Sequence, residues 1–378
     1  LVASEELGAA QPLAPDGFID VTAPPFSADK TGVADATAAI QRAIDFAKWN
    51  YYSVWLPIGE YRVTAPLLAR QVSRALAAGY ITGPLPHGAW AKVTPAFILD
   101  GVPARYAPVH IRGELDATRP GARATLRVPP RTPAFMNASS PAYVLACVFD
   151  NALGLREPNA MYNSVLQSVN VVVGEGNAGA VGLRWRGAQG TGVEDVRIEF
   201  EGRGPSDGLA GLVGAAGSGG AHHGVTVVGG RYGLDLRQGQ PSATISRATL
   251  VNQSCAAVLY EGYEALTAVG VAVSGLRGCV AVRAGFPLAL PPAGDPCALP
   301  PMDNGGQQMP LGTVAGAVAL IDARVAWADG ANTCAERAVV RTNRSLYLRN
   351  LYARGAHKIA RFDASAVAAP AAAGGGWS

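Results

Sequence analysis

The chain has 378 residues, of which 49% are hydrophobic and 16% charged, with 46 glycines and a formal net charge of +3. Such a composition supplies a well-buried core and does not fit a disordered chain. No dense Lys/Arg stripe with interleaved aromatics is present, which argues against nucleic acid as a partner, and no apolar run reaches the roughly 18 residues expected of a membrane span.

Residues 1–17 read as an N-terminal extension, and the opening Leu1, with neither Met nor signal sequence before it, as a processed or partial chain. Asp35 is a plausible N-cap for a helix through about Lys48, with Ala36, Ile40, Ala43, Ile44 and Ala47 at helical spacing. A strand over residues 54–63 (VWLPIGEYRV) follows. Short apolar tetrads then recur at residues 182–185 (GLRW), 211–214 (GLVG), 233–236 (GLDL), 257–260 (AVLY) and 280–283 (VAVR), and their starts differ by 29, 22, 24 and 23 residues. Between them lie strand-like runs at 193–200, 224–228, 244–251 and 268–273, so each period holds at least two short strands. A repeat of this length lacking the regular L-x-x-L-x-L spacing of leucine-rich repeats predicts an all-β solenoid: a single-stranded right-handed parallel β-helix, its N-terminal end capped by the α-helix. The coils are expected over residues 18–363. Residues 284–315, rich in proline, form an inserted loop, and residues 364–378 an Ala/Pro/Gly-rich flexible tail.

Five cysteines occur, at 147, 255, 279, 297 and 334. Cys255 and Cys279 hold equivalent places in consecutive coils, about 4.8 Å apart by strand spacing, which is compatible with a disulfide and equally with a stack of buried thiols. Cys297 and Cys334 bracket the next stretch and form a second candidate pair. Asn137, Asn252 and Asn343 head N-x-S sequons, the pattern of a secreted glycoprotein of the extracellular space or cell wall. Asn252, Asn343 and Asn350 are alternatively members of turn ladders.

Two stretches carry a family resemblance. Residues 18–21 (FIDV), 28–44 (ADKTGVADATAAIQRAI) and 54–61 (VWLPIGEY) resemble the opening of pectate-lyase-like β-helix proteins, with Ala36 where many relatives carry a second acidic residue. Residues 182–196 (GLRWRGAQGTGVEDV), 217–230 (GSGGAHHGVTVVGG) and 231–252 are similar to the first β-helix of family 55 glycoside hydrolases. That resemblance implies an exo-acting β-1,3-glucanase fold using no metal or other cofactor. It also implies a cleft between two β-helices, with the general acid on a second helix that this sequence does not contain. By motif position it assigns to Gln189, Ser218 and Gln240 the holding of the attacking water and sugar hydroxyls. Turn residues that merely satisfy local backbone are the competing reading of Gln189 and Ser218.

Residue chemistry adds further candidates. Arg186, His222 and Tyr260 are expected to contact substrate. Trp185, Tyr263 and Trp327 offer sugar-stacking surfaces, although Trp185 shares the alternation of core Leu183. Asp195, Glu199 and Glu201 alternate with apolar residues and are expected on one face of a strand; residues two apart stand about 6.6 Å apart, roughly the spacing of an inverting carboxylate pair. A solvated strand with an internal Arg–Glu pair accounts for the same pattern. His222 and His223 would face opposite sides of a strand and so do not share a metal. The GSGG turn lacks the Lys-Ser/Thr and helix of a phosphate loop, and no Ser/His/Asp set has recognisable local context. The expected partner is a polysaccharide, joined by a second β-helix domain or another copy of the chain. The expected activity is β-1,3-glucan hydrolysis. A non-catalytic glycan-binding or structural module of a wall, sheath or filament is the alternative, and a calcium-dependent polysaccharide lyase a weaker third, for want of an acidic cluster.

Overall fold

The computed structural model describes residues 17–50, 52–72, 98–99, 102–103, 108–116, 118–119, 121–150, 162–202, 204, 207–239, 242–262, 264–285, 295–299, 316–329 and 334–363. Among them, three parallel sheets run the length of a β-helix, with ten strands in sheets A and B and nine in sheet C. One coil is typical. Val165–Gln167 lies in sheet A, Val169–Val173 in sheet B and Ala180–Trp185 in sheet C, after which Gly192–Glu194 returns to sheet A directly over Val165–Gln167. Each coil thus holds three strands where the sequence marked at least two. The run read at 193–200 is two strands, Gly192–Glu194 and Arg197–Phe200, and that at 54–63 divides into Ser53–Leu56 and Gly59–Arg62.

The break between sheets A and B is a sharp corner made by one residue in the left-handed region. Ser168, Asp195, Gly224, Arg247, Gly270, Asp322 and Asn350 fill it in successive coils, all with φ between 50° and 66°. Asp and Asn tolerate this conformation because a short polar side chain can bond locally. Here Asn350 Nδ2 donates to Asp322 Oδ1 at 2.7 Å across coils.

The interior is a stack of aligned apolar files. Sheet B buries alternate residues, Val169, Val171 and Val173 in one strand and Ile198 and Phe200 in the next. Facing them, Gly182, Gly211 and Gly233 leave room: a Cβ on Gly211 would stand 2.5 Å from Val227 Cγ1 and 2.8 Å from the Gly233 carbonyl oxygen. The first four tetrads seen in sequence therefore stack in file along sheet C through Gly182, Gly211, Gly233 and Ala257, whereas the fifth is one residue out, Ala281 and not Val280 continuing the file.

Helix α1 spans Thr37–Asn50, and Asp35 accepts from the Thr37 amide at 2.9 Å. Ala36, Ile40, Ala43, Ile44 and Ala47 are all buried against the first coils, which closes that end of the solenoid.

The central strands of sheet C are buried on both faces. Their outer side holds Val181, Ala210, Tyr232, Ala256 and Leu259, with Cys297 and Leu299 packed on them. The disulfides are Cys255–Cys297 and Cys279–Cys334, with Cα separations of 5.5 Å in both. Cys255 and Cys279 are thus neither a pair nor a thiol stack, and Cys297 does not pair with Cys334. The insertion after strand Val280–Gly285 returns to clamp sheet C, where the Tyr232 hydroxyl donates to the Cys297 carbonyl. Cys147 remains a buried thiol. Most of the inserted loop and the tail lie outside the described residues.

Candidate functional site

The turns from sheet C to sheet A stack on one another. Asn163 N donates to Gln189 O at 2.8 Å, and Gly190 N to Ser218 O at 3.1 Å. The positive φ of Asn163, Gly190 and Gly219 sets the turn in each coil. Gln189 and Ser218 stand exposed in adjacent coils, so the structure brings these two sequence candidates together. Gln240 lies outside the described residues.

Each of these turns leads into a sheet A strand whose outward residue is also polar. Trp55, Arg112, Gln167, Glu194, His223 and Ser246 occupy one file, residue over residue, through six consecutive strands. The hydrogen bonds run along the file. Gln167 Nε2 donates to Glu194 Oε2 at 3.3 Å, and His223 Nδ1 meets Ser246 Oγ at 2.6 Å. Arg247, at the corner, donates through Nε to His223 Nε2 at 3.1 Å. A nitrogen that accepts from a guanidinium carries no proton, so Nδ1–H is the tautomer that donates to Ser246. Arg112 lies 5.9 Å over the Trp55 ring, and Phe18 meets that ring edge-on at 5.8 Å. Gln189 and Glu194 in one coil, and Ser218 and His223 in the next, thus pair a turn residue with a strand residue five positions on. Together these four side chains carry an amide, a carboxylate, a hydroxyl and an imidazole.

Several sequence candidates lie elsewhere. His222 belongs to the inner file between Val193 and Ile245 and is 1% exposed, which removes it from the substrate edge. Its Nε2–H donates to Gly214 O at 2.9 Å, its Nδ1 has no partner, and burial pushes its pKa down to about 4. Tyr260 is buried too, its hydroxyl donating to Glu264 O at 2.7 Å. Trp185 and Trp327 are core residues whose indole N–H groups reach Ser164 O and Gly278 O, and Tyr263 lies outside the described residues. Arg186 is buried beside Gly214, and desolvation together with Arg184 lowers its pKa to about 10.

The carboxylates of the 193–200 run separate. Asp195 is the corner residue and binds Arg123 at 3.1 Å, so it does not share the strand face with Glu199 and Glu201. Glu199 is held by Arg197 at 2.7 Å and Glu201 by Arg127 at 2.6 Å, on sheet B. Arg127 also binds Glu60 at 2.8 Å. The Arg127 pairs join coils and the Arg197–Glu199 pair lies within one strand, all on a different side of the solenoid from Gln189 and Ser218. No group of three or more His, Cys, Asp or Glu side chains able to hold a metal occurs among the described residues. Of the sequon residues, Asn137 and Asn252 are exposed and Asn343 is half-buried.

Glu194, Gln167 and Arg112 were missed by sequence reasoning, which named His223 with His222 on opposite faces of a strand. The usable signal is positional: each of Gln167, Glu194, His223 and Ser246 immediately precedes a left-handed corner residue.

Residues 18–74 match the family model described as rhamnogalacturonase A/epimerase, pectate lyase-like. No curated protein matches the chain. Similar solved structures include the phiAB6 tailspike in complex with oligosaccharides of Acinetobacter baumannii surface polysaccharide, at 11% identity and TM-score 0.41, covering 89% of this chain and 47% of that one. The family GH82 iota-carrageenase from A. fortis has 11% identity and TM-score 0.46, covering 88% and 56%. PfbA, a surface adhesin of Streptococcus pneumoniae, has 9% identity and TM-score 0.35, covering 91% and 93%. The chain spans about half the length of the first two of these structures.

Proposed function

We propose that this protein binds an extended polysaccharide across sheet A and its flanking turns, and hydrolyses it with Glu194 as the acid/base. The observation that carries the reading is the in-register file from Trp55 to Ser246, with the exposed Glu194 near its middle. Strands about 4.8 Å apart offer polar groups at intervals close to one sugar unit, along a flat face that a linear glycan can follow. Gln189 and Ser218 stand in the turns that lead into the Glu194 and His223 strands and are suited to orient a water or a sugar hydroxyl without adding charge. The family 55 resemblance makes β-1,3-glucan the first substrate to test, and a second β-helix the source of a facing carboxyl. Asp195, the next residue in sequence, is an alternative second carboxyl, although Arg123 engages it. The two disulfides agree with an oxidising, extracellular location, and exposed Asn137 and Asn252 agree with glycosylation there.

The experiment is binding and hydrolysis of laminarin and a panel of other linear glycans by the chain and by Glu194→Gln, Glu199→Gln and Glu201→Gln. Glu194→Gln is expected to lower turnover by roughly 100-fold or more, while the sheet B variants stay near the parent. A loss confined to Glu199→Gln or Glu201→Gln would move the site to sheet B. Glycan binding without turnover would select the non-catalytic module, and no glycan binding would defeat both readings.

A further inference from the structure

The last two coils carry a second polar–aromatic surface, on the ridge where sheet A turns into sheet B. Strand Leu346–Arg349 points Leu346 and Leu348 toward the core and Tyr347 and Arg349 outward. After the corner at Asn350, strand Tyr352–Arg354 points Ala353 inward and Tyr352 and Arg354 outward. Arg324 in the preceding coil is in register with Tyr352. Tyr347 is 52% exposed and Tyr352 62%, and all three arginines are exposed.

Single exposed aromatics are ordinary, but two on one ridge with three guanidiniums form a patch. The charge there is poorly neutralised. Among the described residues, no acid pairs with Arg324 or Arg349, and Arg354 meets Asp329 only at 4.0 Å with that carboxylate 95% exposed. Asp322 is the remaining acid on the ridge, and it accepts from Asn350. A second copy of the chain docking here would set like charges against each other, which opposes self-association. Tyrosine rings suit the apolar faces of sugars, and arginine forks suit carboxylate or sulfate groups in bidentate fashion.

We infer that this ridge is a binding surface for an acidic polysaccharide, whose carboxylate or sulfate groups pair with Arg324, Arg349 and Arg354 while its rings stack on Tyr347 and Tyr352. Arg349 lies five strands along sheet A from Glu194, about 24 Å at the ordinary strand spacing. The surface is therefore separate from the face proposed above and does not depend on its activity.

The test is calorimetric titration of the full chain with polygalacturonate, dextran sulfate and neutral dextran, at low and moderate salt. Binding of one or both polyanions, not of dextran, is expected, and which of the two binds identifies the anionic group. The triple variant Arg324→Gln, Arg349→Gln, Arg354→Gln should weaken it by roughly tenfold or more, and Tyr347→Ala with Tyr352→Ala by roughly threefold or more. All five altered positions are exposed, and an unchanged melting midpoint certifies the fold of each variant. Equal binding of dextran, indifference to the arginine variants, or a tyrosine variant that binds like the parent would each overturn the inference. So would equally tight binding of single-stranded DNA, the mark of unspecific charge attraction.

Discussion

His222 and His223 are neighbours in the chain, yet one lies in the core and the other on the proposed glycan face. His222 replaces an aliphatic residue in a file of Val and Ile, so its neutral form is favoured and its pKa falls to about 4. The unfolded chain binds a proton at about 6.5, whereas the folded chain resists it until about 4. Between those values the unfolded state holds more protons, so stability falls as the pH drops. The total loss is about 3 kcal/mol, complete below pH 4 and absent above 6.5. Urea unfolding at a series of pH values should show this slope in the parent and lack it in His222→Gln. At Gly211 the constraint is steric. Gly211→Ala places a methyl group against Val227 and the Gly233 carbonyl, and a loss of about 1–3 kcal/mol is expected in the same unfolding measurement.

At the scale of the element, what could be read from sequence depended on which sheet a residue joined. Central sheet C strands are buried on both faces, so they appear as apolar tetrads such as GLRW and GLDL, and their spacing exposed the coil length. Helix α1 was legible for a similar reason, because Ala36 to Ala47 bury one stripe. Sheet A strands are as short as His222–His223, and four consecutive ones end on the outward polar residues Gln167, Glu194, His223 and Ser246. Glu194 follows Gln167 after 27 residues and His223 follows Glu194 after 29, but Ser246 follows His223 after only 23. That drift hides the file from a fixed-period search. The left-handed corner at Asp195 also breaks a run that looks like one strand, which is why three carboxylates seemed to share a face. Cysteine pairing was illegible because the inserted loop folds back onto sheet C instead of continuing the stack. Replacing Cys255 and Cys297 with Ser should release the segment covering Tyr232 and Leu259. The expected cost is about 2–4 kcal/mol. Peptide mapping under non-reducing conditions should find Cys255 joined to Cys297 and Cys279 to Cys334.

Across the whole molecule, stacking turns a chain of modest charge into long, regular faces of different character. Sheet C is clamped by an insertion, sheet B is laced by ion pairs such as Glu60–Arg127–Glu201, and sheet A presents its polar file to solvent. One end is closed by α1, while the last coil leaves Ile359 and Phe362 exposed at 45% and 63%. The proposed function needs only that a glycan follow sheet A, so that the residue ahead of each corner meets successive sugars. A crystal structure of Glu194→Gln with a bound linear oligosaccharide tests this most directly. Sugar rings are expected across Gln167, residue 194 and His223, with Gln189 and Ser218 in the turns beside them. An oligosaccharide seated instead along sheet B, over Glu199 and Glu201, would contradict that expectation.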